Sequence, residues 1–219
     1  MGAQRSRASA FEELAARYDA WYDTAHGQLL FSLELACLRP LVPPGPRPRL
    51  EVGVGSGRFA ASLGLEIGID PVRSPLRRAA ERSVAVVQGA GEHLPFGDRT
   101  FGAVVIVVTL CFADDPAALL GEARRVLAPS GRLVAGVVPL DSAWGRRYRA
   151  QGRAGHPCYQ NARFLTLAEH RRTIAGAGFT ITGACSTLTQ APSNDPVGEQ
   201  AHEGAVPGAG FVVFQARLL

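Results

Sequence analysis

The segment Glu51-Val52-Gly53-Val54-Gly55-Ser56-Gly57 decides the fold class of this chain. It closes a short apolar stretch that begins at Arg49, and the pattern predicts a strand followed directly by a helix. Glycines between a strand and a helix allow a sharp backbone turn and let a ligand approach the main chain closely. Seventeen residues after Gly53, Asp70 ends the next predicted strand, where a carboxylate can accept hydrogen bonds from both hydroxyls of a ribose. The segment therefore predicts a nucleotide-binding turn.

The rest of the chain alternates between strand and helix patterns. Strands are predicted at 49–54, 66–70, 84–88, 101–110, 131–138, 179–184 and 210–217. Helices are predicted at 57–63, 74–83, 115–127 and 167–177. Because residues 188–209 show no helical pattern, the last two strands should pair antiparallel. We predict an α/β fold of the Rossmann-like type: a sandwich with a mostly parallel seven-stranded sheet and an antiparallel last strand.

The N-terminal part has a different pattern from the rest. Residues 9–39 carry apolar side chains at helical spacing, and the prolines of 40–48 mark a connector. The chain has 219 residues, which suits one domain. We expect a single domain at 1–219, with an N-terminal helical cap and linker at 1–48 and a Rossmann-like core at 49–219.

Composition narrows the class of protein. Hydrophobic residues make up 47% and charged residues 19%, as in an ordinary globular domain. The longest apolar run, 103–110, is too short to cross a bilayer, and no apolar stretch of a secretory signal follows Arg5 and Arg7. No CxxC pair is formed by the cysteines, so no zinc or other metal site is predicted. We expect a cytoplasmic protein in which these thiols are reduced, namely Cys37, Cys111, Cys158 and Cys185.

Four segments in order resemble motifs of the class I S-adenosylmethionine-dependent methyltransferases, in particular the group called methyltransferase type 11. EVGVGSGRF at 51–59 is similar to the first motif and GIDP at 68–71 to the second. QGAGEHLPF at 88–96 is similar to the third, and 101–133 resembles the fourth strand with the helix and strand behind it. The resemblance extends from about Phe11 to the C-terminus. It implies a methyltransferase whose cofactor is S-adenosylmethionine.

The resemblance also implies which residues bind this cofactor. The residues that would hold its amino acid part are Glu51, Gly53 and Gly55. The residues that would contact its ribose and adenine are Asp70 at the hydroxyls, Pro71 and Val72 beside the ring, and Gly91 and Glu92 at the ring edge. The residues that would lie beneath the methionine chain or close over the cofactor are Thr109, Leu110, Tyr18 and Tyr22. Ala90 stands where the family usually has an aspartate, so backbone contacts to the adenine would replace that side chain.

The acceptor pocket should lie beyond the strand ends. Methyl transfer depends mainly on alignment of donor and acceptor, and a general base is needed only when the nucleophile arrives protonated. His156 and His202 are the candidate bases, because histidine titrates near neutral pH. The segments that can reach the pocket are the N-terminal helix, 111–114, 139–164 and 188–209. Their aromatic and apolar residues favour a small-molecule acceptor, organic or lipid-like, over a polynucleotide, although the acceptor itself is not identified.

Three other functions stay open from the sequence alone. A non-catalytic module that binds S-adenosylmethionine and regulates a partner would keep Asp70 and the glycines but have a blocked acceptor pocket. An NAD-dependent oxidoreductase is disfavoured, because Arg58 stands where a dinucleotide motif has its third glycine. An RNA methyltransferase would use the arginines of 146–153 and the net charge of +4, but no aromatic stacking motif accompanies them. A nucleic-acid partner is therefore not expected.

Overall fold

The computed structural model describes residues 12, 19–193 and 197–219. The strands are β1 (Arg49–Val52), β2 (Ile67–Asp70), β3 (Ala85–Gln88), β4 (Phe101–Val107), β5 (Leu127–Val137), β6 (Phe179–Thr187), β7 (His202–Glu203) and β8 (Phe211–Leu218). The helices are α1 (Ala25–Leu38), α2 (Arg58–Leu63), α3 (Arg73–Glu81), α4 (Pro116–Val126), α5 (Ala143–Arg153) and α6 (Leu167–Gly176).

The strands form one sheet in the order β3-β2-β1-β4-β5-β8-β6-β7. The first five of these are parallel neighbours, whereas β8 lies antiparallel between β5 and β6. Because β6 is antiparallel to β8, it runs in the same direction as β5. One side of the sheet therefore carries the C-terminal ends of β1, β2, β4, β5 and β6. This side is called here the carboxyl edge. The predicted Rossmann-like α/β fold with an antiparallel last strand is confirmed.

The core lies on both faces of the sheet because side chains alternate along the buried strands. In β4, Val104 and Ile106 point to the face covered by α4 and α6. Val105 and Val107 point to the opposite face, covered by α1, α3 and α5. The whole of β4 is buried, as its continuous apolar run predicted.

The observed secondary structure differs from the predicted elements in several places. The sheet has eight strands within the described residues, because the two-residue β7 pairs with Cys185 and Ser186 in a segment expected to lack structure. The predicted helix at 9–39 is interrupted, since a turn at 22–24 precedes α1 and the Thr24 side chain accepts from the Gly27 backbone N–H at 3.0 Å. The segment 139–164, for which no element was predicted, contains α5, capped by Ser142.

Two further observations concern the composition of the chain. The four cysteines are buried and form no disulfide, although the sulfur atoms of Cys37 and Cys185 lie 2.9 Å apart. Among the residues that the structure describes, no helix has the length and apolar character needed to span a membrane.

Candidate functional site

The glycine turn lies at the carboxyl edge and is joined there to Asp70. The backbone N–H of Gly55 donates to Oδ2 of Asp70 at 3.0 Å, and that of Val72 donates to Oδ1 at 2.8 Å. Burial raises the pKa of the Asp70 carboxyl, and these two hydrogen bonds oppose that rise. Each carboxylate oxygen has a further lone pair, so Asp70 can still accept from two hydroxyls of a ligand.

Two glycines of the turn have different surroundings. A Cβ atom on Gly53 would overlap the side chain of Thr109, so this glycine lets the ends of β1 and β4 approach each other. A Cβ atom on Gly55 would meet nothing within 4 Å. Both glycines have positive φ angles, 75° and 50°. Gly55 therefore borders open space, into which a ligand can come close to the backbone.

Glu51 supplies an unsatisfied group beside the turn. Its side chain is 2% exposed, and its Oε2 has no hydrogen-bond partner among the described residues. Burial raises the pKa of Glu51 well above its usual range, although the Ala60 backbone N–H donates to the carboxyl. A buried oxygen without a partner is costly, and an ammonium group would satisfy it. Glu51, the space at Gly55 and the remaining lone pairs of Asp70 thus suit the amino acid and ribose parts of S-adenosylmethionine.

The segment of the third motif packs beside the turn. Gly91 is buried, and a Cβ atom there would lie 2.8 Å from side-chain atoms of both Leu119 and Val52. Oε1 of Glu92 accepts from the backbone N–H of Asp114 at 2.9 Å. Glu92 therefore joins this segment to the loop after β4.

The remaining predicted cofactor residues lie in different surroundings. Thr109 contacts the glycine turn at Gly53, whereas the Leu110 side chain is 5% exposed and packs in the core. Tyr22 is buried, with its ring 5.7 Å from that of Phe31 and under the guanidinium of Arg58. Tyr18 lies outside the described residues.

The backbone is strained where two strands reach the carboxyl edge. Val108 follows β4 with a φ of 50°, and Leu188 follows β6 with a φ of 58°. A residue with a Cβ atom pays roughly 1–2 kcal/mol for this left-handed conformation. The Val108 N–H donates to the Gly136 carbonyl at 2.8 Å, and the Gly210 N–H donates to the Leu188 carbonyl at 2.8 Å. Such strain concentrates at functional sites. The left-handed conformation of Val108 also explains why β4 ends at Val107 and not at the predicted residue 110.

An aromatic group lines the region beside these strained residues. The rings of Tyr148 and Tyr159 stack with centroids 4.7 Å apart, and the ring of Trp144 lies 6.0 Å from that of Tyr148. His156 stacks on Tyr159 at 4.8 Å, and its Nδ1 accepts from the Cys158 backbone N–H at 3.3 Å. Of the two candidate bases, the fold thus brings His156 to this group.

His156 is itself exposed, and the other candidate base and the basic stretch also lie at the surface. His202 is exposed on β7, the short strand at the end of the sheet. Four arginines of α5 are exposed: Arg146, Arg147, Arg149 and Arg153. Two of them donate to backbone carbonyls, Arg146 to Asp141 and Arg147 to Pro192. These arginines therefore serve partly to hold loops.

Asp19 was not predicted from the sequence, although it lies between the two predicted tyrosines. It is 2% exposed and pairs with three arginines of α2, α3 and the segment after α3: Arg58, Arg78 and Arg82. The hydroxyl of Ser56, inside the glycine turn, also donates to Asp19 at 2.5 Å. The N-terminal cap is thus attached to the turn itself. The only sequence signal was an aspartate within an aromatic segment and an arginine at the third-glycine position.

Comparisons with known proteins agree with this geometry. A family model for a methyltransferase domain matches residues 50–135. A crystal structure from Thermotoga maritima, of a "SAM-dependent methyltransferase, possible histamine N-methyltransferase", has a TM-score of 0.89 and 33% sequence identity, covering 97% of this chain and 99% of that one. An uncharacterized protein of Mycobacterium tuberculosis is 45% identical over 203 residues, 92% of this chain and 71% of the relative. The CcbJ methyltransferase of Streptomyces caelestis shares the fold, with a TM-score of 0.63 at 17% identity over 98% of this chain and 99% of that one.

Proposed function

The chain belongs to the S-adenosylmethionine-dependent methyltransferases, and from this we propose that it methylates a small organic molecule. The molecule would bind at the carboxyl edge, between the glycine turn and the aromatic group formed by Trp144, Tyr148 and Tyr159. S-adenosylmethionine supplies a methyl group on a positively charged sulfur. The protein has to align this methyl group with the acceptor and exclude water. Alignment alone can lower a barrier by about 7–11 kcal/mol.

The observation that carries the cofactor site is the pair of hydrogen bonds from Gly55 and Val72 to Asp70. They fix the carboxylate next to the open space at Gly55, with lone pairs left for the ribose hydroxyls. Glu51 would take the amino group of the cofactor, because its Oε2 has no partner within residues 12, 19–193 and 197–219. The remaining proposed contacts are Gly53, Pro71, Val72, Gly91, Glu92, Thr109, Leu110, Tyr18 and Tyr22.

A small-molecule acceptor is supported by three features. The aromatic group offers an apolar wall of the kind that ligand pockets use. The arginines of α5 donate in part to carbonyls of their own chain, which weakens their interpretation as an RNA-binding surface. The similar Thermotoga maritima protein is a possible histamine N-methyltransferase, and we extend only the small size of such an acceptor to this chain.

The N-terminal cap would act together with the core. Asp19 joins the cap to Ser56 and Arg58 of the glycine turn and α2. This contact supports the expectation of one domain at 1–219, with the cap closing over the bound cofactor.

The cofactor site is tested by calorimetric titration with S-adenosylmethionine and with S-adenosylhomocysteine. We expect the wild-type protein to bind both and Asp70→Asn to bind each at least about 100-fold more weakly, since charged hydrogen bonds contribute about 1.5–3 kcal/mol each. Asp98→Asn, which changes an exposed aspartate away from the carboxyl edge, should bind as the wild type does. Absence of binding to the wild-type protein would overturn the proposal.

A further inference from the structure

The glycine turn is joined to α3 by a second contact, which Arg82 makes. Nη1 of Arg82 donates to the Ser56 carbonyl at 2.6 Å. Arg82 directly follows α3, and a Cβ atom on Gly57 would lie 2.8 Å from Ala79 of that helix. The end of α3 therefore packs against the second half of the turn, Ser56 and Gly57.

The end of α3 holds the backbone beside Arg82 in a defined conformation. The Ser83 N–H donates to the Ala80 carbonyl at 2.9 Å, and the Val84 N–H donates to the Ala79 carbonyl at 3.1 Å. These nested hydrogen bonds are those of a Schellman motif, which ends a helix with a left-handed residue. That residue is Ser83, with a φ of 65°. The side chain of Arg82 thus extends from a fixed point beside the turn.

The hydrogen bond from Arg82 orients one peptide group of the turn. The carbonyl of Ser56 and the N–H of Gly57 belong to the same planar peptide group. The Gly57 N–H donates to the Val54 carbonyl at 2.8 Å, so this group is held at both of its polar atoms. Because a peptide group beside a glycine rotates easily, the loss of either hydrogen bond would free it.

The peptide group on the other side of Gly55 is fixed as well. Its N–H, that of Gly55, donates to Asp70, and its carbonyl, that of Val54, accepts from Gly57. Of the three peptide groups from Val54 to Gly57, the first is therefore fixed by Asp70 and the last by Arg82. Gly55, which borders the open space for a ligand, lies between these two fixed groups.

Arg82 differs from the other two arginines that pair with Asp19. Its Nη2 also donates to the Asp19 carboxylate, at 3.3 Å. Within the described part of the chain, Arg58 and Arg78 donate to Asp19 but not to the backbone of the turn. The planar fork of a guanidinium lets one side chain reach both groups. Arg82 therefore connects the charge of Asp19 to the backbone that borders the ligand space.

We propose that Arg82 is a positioning residue for the cofactor: by fixing the peptide group between Ser56 and Gly57, it shapes the turn for the amino acid part of S-adenosylmethionine. The proposal rests on the proposed function, since it concerns how that same site holds its cofactor. Asp70 would hold the ribose without help from Arg82, because backbone N–H groups outside this peptide group orient its carboxylate. Loss of Arg82 should therefore affect the amino acid part of a ligand more than its adenosine part.

The test compares two ligands that differ in this part. S-adenosylhomocysteine carries the amino acid end, whereas methylthioadenosine has the same adenosine and sulfur without it. Each is titrated calorimetrically into the full chain, for the wild type, for Arg82→Gln and for Arg78→Gln. The last variant is the matched control, because it removes another arginine that pairs with Asp19 and leaves the hydrogen bond to Ser56 in place.

The expected result is a change in the ratio of the two affinities. We expect Arg82→Gln to bind S-adenosylhomocysteine at least about 10-fold more weakly than the wild type does, since a charged hydrogen bond is lost, and to keep the wild-type affinity for methylthioadenosine. Arg78→Gln should keep the wild-type ratio, because the remaining arginines still hold Asp19 and the turn.

Other patterns overturn the inference and leave the proposed function standing. An equal loss for both ligands in Arg82→Gln would make Arg82 merely structural, and an unchanged affinity for S-adenosylhomocysteine would remove its role. The same change of ratio in Arg78→Gln would assign the effect to the pairing of Asp19. No binding of methylthioadenosine to the wild type would mean that adenosine is not held independently of the turn. If the wild type does not bind S-adenosylhomocysteine, the proposed function fails and the inference fails with it.

Discussion

The Nε–H of Arg58 donates to Oδ1 of Asp19 at 2.7 Å, and this contact attaches the N-terminal cap to the helix that follows the glycine turn. Burial alone would raise the pKa of Asp19, but hydrogen bonds from Arg58, Ser56 and Arg78 and the charge of Arg82 hold it well below its usual range. The carboxylate is therefore charged at neutral pH. This charge thus couples the turn that would hold the cofactor to the cap that would cover it.

Replacing Asp19 should loosen the cap and weaken cofactor binding. We expect Asp19→Asn to lower the affinity for S-adenosylhomocysteine about 10-fold and to speed proteolysis of the N-terminal segment, because the charge-assisted hydrogen bonds are weakened. Calorimetry and limited proteolysis measure the two effects. Asp23→Asn is the control, since Asp23 is 66% exposed and pairs with Arg58 alone among the described arginines. Wild-type affinity and wild-type proteolysis in Asp19→Asn would show that this contact of the cap contributes nothing to the site.

Alanine substitutions at Gly53 and Gly55 should differ in their effects on the free energy of unfolding. Gly53→Ala would place a methyl group on Thr109 at a φ of 75°, and we expect a loss of about 3 kcal/mol in the free energy of unfolding. Gly55→Ala meets no atom within 4 Å and should cost only about 1 kcal/mol.

Gly55→Ala, the variant that should cost less stability, should still weaken ligand binding. Because its methyl group would enter the open space beside Asp70, Gly55→Ala should lower the affinity for S-adenosylmethionine at least about 10-fold while the protein stays folded. Urea unfolding and calorimetric titration give the two quantities. Unchanged affinity in Gly55→Ala would mean that the cofactor does not occupy this space.

The stability of the protein should fall in mild acid because of His170. Its side chain is 3% exposed, and burial lowers its pKa to about 4, against about 6.5 in an unfolded chain. Between these values the unfolded state binds more protons, so the contribution is complete above pH 6.5 and is lost as pH falls toward 4. The loss should be on the order of 3 kcal/mol.

Urea unfolding between pH 7 and pH 4 measures this loss. His170→Gln should show a shallower pH dependence across that window, because the titrating group is gone. His93→Gln, at an exposed histidine, should keep the wild-type slope. A wild-type slope in His170→Gln would assign the acid sensitivity to other groups.

Arg125 should hold the third-motif segment, 88–96, in place and thereby stabilise the folded protein. It donates to the carbonyls of Leu94 at 2.9 Å and Phe96 at 2.8 Å, while its partner Glu122 accepts from the Leu94 N–H at 2.8 Å. We expect Arg125→Ala to lose about 2 kcal/mol in the free energy of unfolding, since charged donors to backbone carbonyls contribute about that much. Arg77→Ala, at an exposed position of α3, should change stability by less than about 0.5 kcal/mol in the same urea experiment.

Local pattern was enough to find the turn and the strands that flank it. The glycines, the apolar run of β4 and the position of Asp70 act through backbone geometry over a few residues, which sequence spacing preserves. The helix α5 was not predicted, because its glycines and arginines leave Trp144 as the only large buried side chain and so give no apolar helical periodicity. The strand β7 was missed because two residues have no periodicity.

The sequence by itself determined the parallel part of the sheet, the position of the glycine turn and the family, since each depends on residue types at fixed short spacing. Only the tertiary structure decided that Asp19 meets Arg58, Arg78 and Arg82 and that Glu92 joins the third-motif segment to the loop after β4. Those residues lie far apart in the chain. Their charge states depend on burial and on partners that arrive from other elements, and no pattern of neighbouring residues records such contacts.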